Sequence, residues 1–303
     1  MSRAAIIRRQ VLRGIALNRI PGLHFPGNFL DLSFDRVGRD GAHLSLDPGP
    51  WCTDARGEVD LSALAILADI AIGTCVRAHF SPEHRVATVS FALQFIGAPC
   101  RGRLRADGLF QGFFKDGAGR LGLGRVSVAG SAGQVCFGTG AFMALQPPKG
   151  VTLHPVPLRN RLSPALARLQ EKDLTREERK ILLTASKALR SKNFIEGFWG
   201  GSRGVLKNGL HAGNRVGHAQ GGILIAMAAK SAAAKLAGHW RLGGVTALYV
   251  SPGEGRALRA VSTVVHQGRL TAAVRTRVTG KGGRSVLEVL TSHVSRESAD
   301  RLS

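Results

Sequence analysis

The chain has 303 residues, long enough for one large domain or two modest ones with a real core. It carries 42 Lys and Arg against 20 Asp and Glu, a formal charge of +22, which favours anionic partners such as nucleic acid, acidic lipid or a phosphorylated small molecule. Nucleic acid fits poorly: three Trp and one Tyr offer little stacking surface, and the arginines are scattered through Ala- and Gly-rich sequence instead of forming a basic helix.

The opening "MSRAAIIRRQVLRGIAL" is Arg-rich and acid-free and reads as a short amphipathic helix, without the apolar stretch of a secretory signal. No segment reaches the roughly 18 consecutive apolar residues of a membrane span. Cys52, Cys75, Cys100 and Cys136 are spaced too widely for a metal knuckle, so they read as reduced core residues of a cytoplasmic protein with no metal site. "LHFPGNFLDLSFDRVG" (23–38) then continues as strand.

The next segment, about Leu61 to Ala78, is a helix with the stripe Leu61, Leu64, Ala65, Ala68, Ile72 and Cys75, and with further apolar residues on its other sides. Such a helix is buried nearly all round. Its interior carries one carboxylate, Asp69, which either flanks the buried stripe in solvent or reaches a polar pocket and is kept for a task. Strands follow in "ATVSFALQFIGAPCRGRLRADGLFQG", "GLGRVSVAG" and "QVCFGTGAFMAL", separated by Gly-rich turns. Residues 146–189 begin Pro-rich and become helical after Asp173 or Thr175, where Thr175 and Glu178 form a capping-box pattern.

Placing residue 54 over residue 214, a constant offset of 160, aligns 54–79 with 214–239, and similar strand-and-turn patterns follow each segment. Each copy is one long helix followed by about four antiparallel strands, an α+β pattern of two tandem hotdog domains packed as a pseudo-dimer. The expected domains are 21–147 and 193–296, with 148–192 as a connector. The second helix has the opposite equipment to the first: Asn214, Gln220, Gly221 and Gly222 open it, and Ala229 stands where Asp69 stands in the first. Glycines at a helix start let a ligand oxygen approach unpaired backbone N–H groups at the positive end of the dipole, though a tight turn or close packing also explains them.

"NRVGHAQGG" (214–222) resembles the Asn-x-x-Gly-x-x-His-Gly-Gly signature of the PaaI-like hotdog acyl-CoA thioesterases, and "LAILADIAIG" (64–73) resembles the helix bearing that family's carboxylate. The resemblance covers roughly 40–145 and 195–294. It implies a site between two hotdogs, with Asp69 from one facing Asn214, Gln220 and Gly221 from the other. It also implies acyl-CoA as substrate, no cofactor, and a homo-oligomer of double hotdogs as an allowed assembly. Gly221, with Gly222, would polarise the thioester carbonyl; Asp69 would be general base or nucleophile; Asn214 and Gln220 would orient water; Thr88 would support the acid; Gly268 and Arg269 would lie near the CoA moiety. Gln220 departs from the family's His and cannot take a proton. The opposite pocket, with Ala229, Asp54 and Asp60, should be inactive. Two further readings stay open: a 3-hydroxyacyl thioester dehydratase on the same scaffold, suggested by "LHFPGNFL", and an acyl-CoA-binding module without catalysis.

Overall fold

The computed structural model describes residues 1–114, 121–158, 162–191, 193–201 and 203–295. Two of the expected domain boundaries, 192 and 296, fall outside these. In chain order the elements are α1 (Arg3–Asn18), α2 (Phe25–Phe29), β1 (Ser33–Val37), β2 (Gly41–Leu46), α3 (Leu61–Arg77), β3 (Arg85–Phe95), β4 (Leu104–Phe113), β5 (Leu121–Gly130) and β6 (Gly133–Leu145). After them come α4 (Pro164–Ala167), α5 (Arg176–Ala188), α6 (Phe194–Trp199), β7 (Val205–Lys207), α7 (Gly221–Ala233), β8 (Trp240–Tyr249), β9 (Ala257–Gln267), β10 (Thr271–Thr279) and β11 (Ser285–Ser295).

Because α3 and α7 are apolar on every side, neither can lie on a surface. The chain solves this with one antiparallel sheet of eleven strands, ordered β1-β2-β4-β5-β6-β3-β8-β11-β10-β9-β7, half of which wraps each helix. The halves are sewn together at β3 and β8, where Phe91 faces Ala247 and Ala92 faces Thr246 in register. This is the tandem hotdog architecture. Two helices then lie side by side within one curved sheet, close enough that a Cβ on Gly222 would come within 2.6 Å of the Ile66 nitrogen and 2.7 Å of the Ala65 carbonyl carbon.

The remaining helices form a separate layer. α1 and α5 are joined by Arg19, whose Nε and a terminal nitrogen donate to Glu178 at 2.8 and 2.7 Å, and α5 starts with the expected capping box of Thr175 and Glu178. Phe25, Phe29, Phe194, Phe198 and Trp199 pack with ring centroids 5.3 to 6.4 Å apart, and the Trp199 indole donates to the His211 carbonyl at 2.8 Å. That contact anchors the loop leading into α7. One sequence expectation is corrected here: "FPGNF" is the short helix α2, not strand. The Gly27 N–H donates to His24 Nδ1 and Pro26 lies in the first turn, where it loses no bond; the strand starts only at Ser33.

The four cysteines are free thiols, and burial pushes Cys52, Cys100 and Cys136 up to about 12 and Cys75 up to about 11. Among the described residues no helix is long and apolar enough to cross a membrane. At the α3–α7 crossing, both neighbours of a new Cβ are backbone and cannot turn aside. Gly222→Ala is therefore expected to lower unfolding stability by about 1–3 kcal/mol, read from denaturant melts of the two proteins.

Candidate active site

The loops that open α3 and α7 have the same internal hydrogen bonds at the same offset of 160 residues. The Asp54 N–H donates to the Glu58 carbonyl and the Asp60 N–H to the Cys52 carbonyl; in the second copy Asn214 donates to His218 and Gln220 to Ala212. Isolated bridges Thr53–Val59 and Gly213–Ala219 match, as do Gly57 at φ 76° and Gly217 at φ 83°. The side chains repeat as well: Asp54 Oδ1 accepts from the N–H groups of Arg56 and Glu58, and Asn214 Oδ1 from those of Val216 and His218, at 2.8 to 3.1 Å. Asn214 thus first serves as a turn former, with only its Nδ2 left to reach into the cavity it lines.

What differs between the copies is the cap. Gln220 caps α7, its Oε1 accepting from the Ile223 N–H at 3.0 Å, and its Nε2 then crosses to α3 and donates to Asp69 Oδ2 at 2.8 Å. Thr88, at the start of β3 beside a bulge, donates to Asp69 Oδ1 at 3.0 Å. The carboxylate is 8 % exposed as a residue and buried against apolar neighbours, which pushes it up to about 6, against the two hydrogen bonds that favour its ionised form. An acid of this kind sits near half ionisation just below neutral pH, where a proton acceptor works best.

The start of α7 adds a donor. The Gly221 N–H has no partner among the described residues, as expected at the first turn of a helix. Gly221 itself is required by Tyr249, because a Cβ there would meet the phenol oxygen at 2.8 Å. Asp69, Thr88, Asn214, Gln220, Gly221 and Tyr249 all line one cavity of about 410 Å³ walled by both halves of the chain.

Three of the expected site residues lie outside the lining of this cavity. Gly222 does not line this cavity; it is buried at the helix crossing, where closeness to Ala65 and Ile66 excludes a side chain. Gly268 and Arg269 lie in the β9–β10 turn, beside the C-terminal end of α7, where Gln267 Nε2 donates to the Ala237 carbonyl. That end is roughly 20 Å along the helix from Gly221, from the rise per residue. Three arginines that the sequence did not single out line the cavity instead: Arg77, Arg85 and Arg215. None has an ion pair among the described residues, and burial, then the charge of Arg215, brings Arg77 down to about 10. Their signal was faint, since they lie scattered in sequence and converge only in the fold.

At the pseudo-symmetric place the equipment is inverted. Asp60 caps α3, its Oδ1 accepting from the Ser62 N–H, and both carboxylate oxygens accept from Lys230 Nζ of α7 at 2.8 Å. Lys230 follows Ala229, the counterpart of Asp69. With 12 % and 6 % of the two side chains exposed, the ion pair fills the position a second acid and cap would occupy. Among the described residues no group of three His, Cys, Asp or Glu side chains is placed to hold a metal ion.

No family model and no curated protein matches the chain. Among solved structures, it is similar to a protein assigned as an oleoyl thioesterase from Lactobacillus plantarum, with 10 % identity, 84 % of this chain and 95 % of that one covered, and a TM-score of 0.53. It is also similar to the 12:0-ACP thioesterase from Umbellularia californica, with 9 % identity, 83 % and 92 % covered, and a TM-score of 0.51. Both likenesses are of fold and run over most of the chain.

Because Asp69 binds its proton more tightly folded than unfolded, its protonation stabilises the fold fully below about pH 4, and that contribution is lost as pH rises through about 6. The ceiling on the effect is about 3 kcal/mol. Asp69→Asn should flatten this part of the curve and be the more stable protein at neutral pH, as denaturant melts at about pH 4 and about pH 7.5 will show.

Proposed function

We propose that the protein hydrolyses acyl-CoA thioesters to the free acid and CoA, at a single site between its two hotdog repeats. The observation that carries this reading is Asp69: a buried carboxylate, pushed up to about 6, held by Thr88 and by Gln220 from the other repeat, in the cavity that Gly221 also lines with an N–H unpartnered among the described residues.

In this reading the thioester carbonyl oxygen approaches the start of α7, where the Gly221 N–H and the positive end of the helix stabilise the charge that develops on it. Asp69 takes a proton from water as the water oxygen adds to the carbonyl carbon, or its own oxygen adds to give an anhydride that water then opens. Either way the carbonyl re-forms as the C–S bond breaks and the electron pair leaves with sulfur. Gln220 and Thr88 hold the carboxylate in one orientation, while Asn214 maintains the loop and leaves its Nδ2 for water or substrate. Arg77, Arg85 and Arg215 line the cavity and give it a positive potential that suits a phosphate-bearing substrate.

One observation favours dehydration as a second reading: His24, from "HFPG", lines the same cavity as Asp69. Its chemistry weighs against it. The Gly27 N–H occupies Nδ1, so the neutral ring carries its proton on Nε2, and burial brings the ring down to about 3. It can donate a hydrogen bond but offers no base to remove a proton beside the thioester.

A panel of acyl-CoAs assayed by thiol release tests the proposal. Asp69→Ala is expected to lose at least about a hundredfold in kcat/KM, about 2.7 kcal/mol of barrier. The wild-type kcat/KM should rise with pH and level off above about 6, because the ionised acid is the active form. Equal rates for the two proteins, or conversion of 3-hydroxyacyl-CoA without thiol release, would remove the reading. The paired change Asp60→Asn with Lys230→Met should keep turnover within about threefold, since neither side chain lines the cavity that holds Asp69 and an Asn can still cap α3.

A further inference from the structure

Tyr249 closes β8 and is the sole tyrosine of the chain. Its ring turns inward and lies on Gly221, where an added Cβ would sit 2.8 Å from Oη and 3.2 Å from Cζ. The phenol oxygen is buried and has no hydrogen-bond partner among the described residues, and the residue lines the cavity that holds Asp69 and Gln220. A buried hydroxyl left without a partner costs folding free energy. Burial and the nearby Asp69 charge hold this phenol well above its usual pKa, so it remains a neutral O–H donor. The two side chains that hold Asp69 are already engaged: Thr88 with one carboxylate oxygen, Gln220 with the other and with the α7 cap. At the start of α7, two donors without a partner among the described residues lie together: the Gly221 N–H and the Tyr249 O–H.

We infer that Tyr249 is a catalytic residue, a second oxyanion donor whose O–H binds the thioester carbonyl oxygen together with the Gly221 N–H. This rests on the hydrolase reading of the same site. As a water or carboxylate oxygen adds to the carbonyl carbon, the C=O electron pair moves onto oxygen, between the two donors. When that pair returns, the C–S bond breaks and the thiolate leaves. Tyr249 keeps its proton throughout, so the step needs no further reactant. Ligand binding also supplies the partner that the hydroxyl lacks in the free protein.

Tyr249→Phe keeps the ring against Gly221 and deletes only the donor. The expected result is a fall in kcat of about a hundredfold, with KM within about threefold and the pH midpoint unmoved at about 6. Unfolding stability should be unchanged or higher, because an unpartnered hydroxyl is removed; a tyrosine needed only for structure would give the reverse, lost stability with kcat intact. A kcat within about twofold of wild type overturns the assignment while leaving the hydrolase reading in place. Binding of a CoA thioether ketone, which presents the carbonyl but has no scissile C–S bond, gives a second readout by calorimetry, and about fivefold weaker binding by the Phe variant is expected. Should the wild type cleave no thioester, the hydrolase reading falls, and equal affinity of both proteins for the ketone then overturns the Tyr249 assignment.

Discussion

One side chain joins the two halves of the site. Gln220 uses its carbonyl oxygen to cap α7 and its amide nitrogen to hold Asp69 on α3, so helix start, acid and inter-repeat contact are fixed by a single amide. The orientation of that amide is not free: Oε1 faces an N–H donor, which turns the NH₂ toward the carboxylate. A His here would exchange protons, whereas Gln only holds, and this leaves Asp69 the sole group in the pair that titrates.

Burial of Asp69 carries a cost that the rest of the architecture offsets. A carboxylate surrounded by α3, α7 and the concave sheet favours its neutral form, and only two hydrogen bonds oppose that. The continuous eleven-stranded sheet and the close crossing at Gly222 hold the two helices together around it. On the far side the helical layer of α1, α2, α5 and α6 braces the α7 loop through Trp199 and His211. The strained group is thus placed where the surrounding packing is least able to yield.

Much of this was legible in the sequence. The offset of 160 residues exposed both repeats, and the resemblance to thioesterases whose site lies between two hotdogs paired Asp69 with Gln220 before any fold was in view. The connector helix and its capping box were equally clear. The β9–β10 turn was not: a repeat alignment tells which turns correspond but not which pocket each one serves. Tyr249 and the three arginines left no local pattern, since a lone residue at a strand end or scattered basic residues acquire meaning only from what the sheet brings beside them.

The strand pairing of β3 with β8 within one chain has a consequence for behaviour at low concentration. When a site is split between separate polypeptides, dilution drives them apart and the site disappears with them. Here both contributors stay tethered at a fixed local concentration, and the assembled pocket is a property of each molecule regardless of how many others are present.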